Sequence, residues 1–124
     1  MDLTENKSNH PNLITIAQAN QCTIGSESYN HSIIIPYDGD VSKCDVNSVA
    51  GLNEQLISQL CKYNPEVIIL ATGENIEFPK TDLLTPLVKQ HIGLEVLNNQ
   101  AAARTFNVLL AENRKAVCLM LIKP

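Results

Sequence analysis

Residues 67–72 read VIILAT, and this stretch decides the fold. Its first five side chains are all apolar, with no polar residue between them. A strand with one wet face alternates apolar and polar residues, whereas a continuous run marks a strand covered on both faces, as in a parallel sheet. Two similar runs follow, LEVL at residues 94–97 and KAVCLMLI at residues 115–122. Segments of helical spacing precede and separate them. Leu52, Leu56, Ile57 and Leu60 recur on one face of a helix ahead of the first run, with Asn47 or Ser48 as its cap and Asn64-Pro65 as its stop. Residues 81–91 form the next helix, in which Pro86 belongs near the first turn because proline has no N–H to donate. Gly93 ends it. Asn98 or Asn99 caps a third helix that runs through Glu112, with Phe106, Leu109 and Leu110 as its apolar stripe. Helices alternating with apolar strands imply right-handed crossovers and a shared sheet.

Toward the N-terminus the pattern is that of strands. Residues 13–17 (LITIA) and 22–24 pair, Gly25-Ser26 turns the chain, and residues 28–35 form one buried strand stopped by Pro36. Asp38-Gly39-Asp40 is a turn. The expected architecture is therefore α/β: a three-layer domain with a central mixed, mostly parallel sheet, helices packed on it, and an N-terminal β-meander layer. Residues 1–12 are polar and read as a flexible lead-in, and residues 13–124 as a single domain.

Composition narrows the function classes. The 124 residues are 44% hydrophobic but include only five aromatics, so the core is aliphatic. The formal charge is -4, with seven acids and three bases in residues 1–62 and six of each beyond. No basic stripe exists to neutralise phosphates, which excludes general nucleic-acid binding. No apolar run approaches the ~20 residues of a membrane helix, so no membrane insertion is expected. The first residues lack both a signal-peptide pattern and the arginines of a mitochondrial presequence, which makes cytoplasmic residence the expectation. Cys22, Cys44, Cys61 and Cys118 form no CxxC pair and read as free thiols, Cys61 and Cys118 as small core hydrophobes. His10, His31 and His91 lack metal-ligand spacing, and Asp38, Asp40 and Asp45 fail the calcium-loop pattern, so neither a metal nor a cofactor is expected.

Candidate chemistry lies beyond the carboxyl ends of the inner strands, where open α/β sheets bind ligands. Thr72-Gly73 and Asn98-Asn99 occupy that edge. The second loop leads into AAARTFN, residues 101–107. Free N–H groups at a helix start attract anions, and Arg104, one turn in, leans back toward them. Thr105 and Asn107 add polar contacts. Such a set would hold a carboxylate, a phosphate or an acidic residue of a partner protein. Each residue also has a plainer role: Thr72 and Gly73 at a strand end, Asn98 and Asn99 as caps, Arg104 in an ion pair, and Glu112-Asn113-Arg114 in a solvated turn. No nucleophile stands beside a base with a third orienting group, so no catalytic residue is assigned.

The segments VIILATGEN (67–75), LEVLNNQAAARTFNVLLAENR (94–114) and KAVCLMLI (115–122) resemble the Mth938-like domain family. This is a small α/β family of largely unknown function whose members include a mitochondrial complex I assembly factor and an adipogenesis-associated domain protein. Gly73, Ala102, Thr105, Phe106, Asn107, Glu112 and Arg114 match the family's motifs, and the Ile-rich strand ending at Pro36 matches its early strand. The resemblance spans residues 13–122. Ala71 stands where the family has a turn glycine, Asn98-Asn99 where it has Asp-Thr, and Asn113 where it has a glycine. The missing loop aspartate weakens the case for a catalytic carboxylate there. The resemblance implies three layers around a mixed sheet and no established catalytic activity. The expected function is thus a non-enzymatic protein-interaction or assembly-factor-like module with an unidentified protein partner. The alternative is a small anionic-ligand-binding domain or uncharacterised enzyme at the Thr72-Gly73 and Asn99-to-Arg104 loops. Nothing in the residues speaks against a homo-oligomer.

Overall fold

A computed structural model describes residues 10–123. Strands β1 (Ile14–Ala17), β2 (Cys22–Ile24) and β3 (Glu27–Tyr29) form an antiparallel meander in that order. Gly25, at φ +60, makes the tight return from β2 to β3 that a side chain would resist. The expected lead-in falls mostly outside the described residues, but its last member is anchored. Asn12 is buried, and its side-chain amide donates to the carbonyls of Pro36 (2.7 Å) and Gly39 (3.0 Å).

The single strand expected over residues 28–35 is two strands in two sheets. β3 stays in the meander, while β4 (Ile33–Ile35) joins the central sheet and pairs with the short β5 (Ser42–Lys43). Burial supplies the reason: Glu27 and Ser28 are exposed, whereas all three isoleucines of β4 are fully buried. Ser32 fixes the crossing point, its hydroxyl accepting the Ile122 N–H (2.8 Å) and its carbonyl accepting the Cys44 N–H (2.9 Å).

Helix α1 (Glu54–Cys61) starts later than expected. Its cap is Asn53, whose Oδ1 accepts the Leu56 N–H at 2.9 Å; Ser48 precedes only a 3-10 turn, Val49–Gly51, and makes no side-chain cap bond. Leu52 packs from an extended residue ahead of the helix, so its place in the apolar series came from tertiary packing rather than helical pitch. Strand β6 (Val67–Ala71) follows. A 3-10 turn (Thr81–Leu84) then runs into α2 (Thr85–Lys89), with Pro86 in the first turn as its missing N–H requires. His91, at φ +58, makes the exit turn expected of Gly93, and Gly93 opens strand β7 (Gly93–Leu97). Helix α3 (Asn99–Ala111) is capped by Asn98, whose Oδ1 accepts the Ala101 N–H at 2.9 Å, and strand β8 (Ala116–Met120) closes the domain.

The five-stranded sheet has the order β5-β4-β8-β6-β7. Strands β8, β6 and β7 run parallel, and β4 lies antiparallel to both neighbours, so the sheet is mixed. Ile69, Ala71, Cys118 and Met120 point to one face, where α3 and the meander cover them around the fully buried Phe106. Ile68, Leu70, Val117 and Leu119 point to the other, under α1 and α2. The unbroken apolar run of residues 67–71 thus lies in the middle layer of three. Full burial of each such aliphatic side chain stabilises by roughly 1.5–3 kcal/mol.

Candidate functional site

Strands β6, β7 and β8 end side by side, which brings Thr72, Gly73, Asn98 and Asn99 together beside the start of α3. Thr72 is buried; its hydroxyl donates to the Asn75 carbonyl (2.7 Å) and accepts the Glu77 N–H (3.2 Å). Gly73 holds φ +100, and its N–H donates to Asn99 Oδ1 at 2.8 Å. Asn99 is 1% exposed, and its Nδ2 donates to the carbonyls of Gln18 and Leu121, both at 3.0 Å. The N–H groups of Asn99 and Ala102 donate to the carbonyls of Gly73 and Asn98, both at 2.8 Å. The N–H groups of Gly73, Asn99, Ala101 and Ala102 are therefore all engaged by protein oxygens.

Arg104 and Asn107 lie elsewhere, along the side of α3 that faces β1. Asn107 clips the two together: its Oδ1 accepts the Ile14 N–H (2.9 Å) and its Nδ2 donates to the Ile14 carbonyl (2.8 Å). The exposed Arg104 borders a shallow groove of about 290 Å³ between β1 and α3, lined also by Ile14, Thr15, Ala17, Gln100 and Asn107. Among the described residues it takes part in no ion pair. Thr105 is half-buried and shares a second depression with Arg104, Val108 and Leu109. The seven residues thus form a strand-end cluster of four and a helix-side group of three, rather than one pocket.

Charge and titration point away from this edge. The Arg114 side chain and the Lys115 N–H (3.1 Å) both donate to the exposed Glu66 carboxylate, and the Arg114 bond holds that carboxyl below its ordinary range. All four cysteines are free and buried. Burial pushes the Cys22 thiol up to about 12 and raises Cys118 further, with the neighbouring Cys22 adding to the rise. Among the described residues no three His, Cys, Asp or Glu side chains gather as metal ligands would. Nor is any helix long and apolar enough to cross a membrane.

One feature of the same edge escapes periodicity. The loop from Gly73 to Lys80 (GENIEFPK) leaves Ile76 49% and Phe78 76% exposed. Phe78 is one of only two phenylalanines; the other, Phe106, is fully buried. Its place between Glu77 and Pro79, outside every periodic segment, is the signal that marks it in the sequence.

Known proteins resemble this chain in sequence and fold. A Drosophila melanogaster protein named NADH dehydrogenase [ubiquinone] 1 alpha subcomplex assembly factor 3 is 31% identical over 81 residues. That match covers 62% of this chain but only 41% of the relative. The 13 kDa major membrane protein of Francisella tularensis subsp. holarctica (strain LVS) is 23% identical over 94 residues, covering 75% of this chain and 76% of the relative. The solution structure of a Xanthomonas campestris protein superposes with a TM-score of 0.82 at 34% identity, covering 88% of this chain and 83% of that one. A Bordetella pertussis Mth938-like domain gives a TM-score of 0.79 at 23% identity, over 91% and 87% of the two chains, and so shares the fold. The model of the protein family of unknown function DUF498/DUF598 matches residues 14–122. With that match over almost the whole described domain, the chain belongs to the DUF498/DUF598 family, and its fold is the Mth938-like α/β fold.

Proposed function

We propose that this chain is a non-enzymatic protein-interaction module, similar in role to an assembly factor. The observation that carries this reading is the contrast at the strand-end edge. The N–H groups of Gly73, Asn99, Ala101 and Ala102 are engaged by protein oxygens, while Ile76 and Phe78 face outward. A ligand pocket needs convergent polar groups left open in a concavity. Large apolar side chains left outside a well-filled core are instead what a partner protein covers. The relative named as an assembly factor supports the same direction, though only part of its length is matched. Arg104, exposed beside the β1–α3 groove, is a second point at which a partner's acidic residue would dock.

Affinity capture from cells with the wild-type chain, Phe78→Ser and Arg104→Ala tests the reading. A reproducible partner retained by the wild type and reduced by either substitution is the expected result. Absence of any reproducible partner would sink it. Thermal-shift screening with phosphorylated and carboxylated metabolites tests the anionic-ligand alternative in parallel. A saturable shift abolished by Arg104→Ala would replace the present reading with that one.

A further inference from the structure

The loop between Gly73 and Asp82 displays its two apolar side chains in a fixed setting. The Glu77 N–H is tied to the Thr72 hydroxyl, and Pro79, directly after Phe78, is buried. A residue before proline is confined to extended backbone. Phe78 is thus held from both sides while its ring stands in solvent, and little ordering entropy remains to be lost on docking. Around it Glu74, Glu77 and Asp82 are exposed against one exposed cation, Lys80.

From this combination we infer that Ile76 and Phe78 dock into an apolar pocket on a partner protein whose rim carries lysine or arginine. The inference deepens the interaction reading above and rests on it. The aromatic ring supplies the buried anchor, and the carboxylates select a basic rim and speed encounter with it. The same carboxylates argue against a lipid surface, because an anionic leaflet attracts basic segments and repels this one. A partner with an acidic rim would face three carboxylates across a desolvated contact, which is unfavourable.

The test places a photo-cross-linking benzoylphenylalanine at position 78 of the full chain and, separately, at Val108 on α3, beside the second proposed contact at Arg104. The cross-linked partner peptide is then sequenced. The expected result is a peptide from position 78 that contains apolar residues flanked by Lys or Arg. Binding of that partner weakens by about tenfold or more in the double variant Glu74→Lys, Glu77→Lys, and weakens as salt is raised. Both substitutions sit at exposed side chains and leave the Glu77 backbone bond in place. If the partner is captured through position 78 but is indifferent to charge reversal, the basic-rim inference fails and the interaction reading stands. Capture through Val108 alone also overturns it. If neither position captures anything reproducible, both readings fall. Phe78-dependent sedimentation with vesicles of phosphatidylcholine and phosphatidylserine would assign the loop to a membrane and overturn it too.

Discussion

Asn99 and Gly73 bond to each other twice: the Asn99 side-chain oxygen accepts the Gly73 N–H, and the Gly73 carbonyl accepts the Asn99 N–H, both at 2.8 Å. This ring locks the end of β6 to the start of α3. The remaining side-chain donor of Asn99 reaches the carbonyls of Gln18 and Leu121, so one buried amide holds together the turn after β1 and the end of β8 as well. The loop that the motif suggests for a ligand is thus also a four-way structural joint.

Replacing Asn99 with alanine strands the Gly73 N–H and the Leu121 carbonyl away from water and removes a partly buried bond to the Gln18 carbonyl. Unsatisfied buried groups cost about 1–3 kcal/mol each, although small relaxations recover part of that. A loss of roughly 2–4 kcal/mol in urea denaturation is expected. A loss below about 0.5 kcal/mol would show that the joint does not contribute as described.

Asn107→Ala removes both bonds that hold Ile14 to α3. The groups are only partly buried, so the cost is smaller, about 1–2 kcal/mol. Amide exchange separates this effect from global loss. Exchange at Ile14 accelerates well beyond that at Ile69, because the meander's first strand opens while the central sheet stays closed. Equal acceleration at both positions would contradict a local clip.

Glu66 makes the acid limb of stability partly a property of one surface pair. Its carboxyl is lowered in the folded state, first by the Arg114 hydrogen bond, so its contribution is present above the unfolded carboxylate range. The contribution is lost as pH falls through the lowered folded value. Stability curves of the wild type and Glu66→Gln should converge at low pH and separate toward neutrality, with a smaller gap at high salt.

The thiols act at the opposite end. Cys22 is raised by burial to about 12, so the folded chain keeps its thiol neutral where the unfolded chain ionises. Its stabilisation is complete below the unfolded thiol value of ~8.5 and fades as pH climbs toward the folded one. Cys22→Ala is expected to flatten the alkaline decline. A disulfide-exchange reagent should label Cys22 and Cys118 in the native protein only at the rate of unfolding, because both are fully buried. Rapid native labelling of either would refute the buried setting.

The elements after Gly51 were largely legible. Residues 67–72, the helix around Phe106 and the last strand lie where periodicity places them, because burial on one or both faces is written in local spacing. Capping was half legible. Asn98 caps α3 as its position suggests, but Asn53 displaces Asn47 and Ser48 because Leu52 packs from outside the helix. Residues 28–35 misled because Ser28 and Ile35 are both compatible with a strand, and nothing local says that they belong to different sheets. The seven candidate residues fall in two short segments, yet their partners lie up to 93 positions away.

Amino-acid order alone determined an aliphatic α/β domain of helices alternating with apolar strands, since side-chain period follows from the geometry of each element. Only the tertiary structure decided which strands share a sheet. It also directed the amides of Asn99 and Asn107 to backbone groups of distant segments. The physical reason is that hydrogen-bond partners and exposure depend on chain segments brought together by folding. Phe106 and Phe78 are the same residue type, and only the folded chain buries one and presents the other.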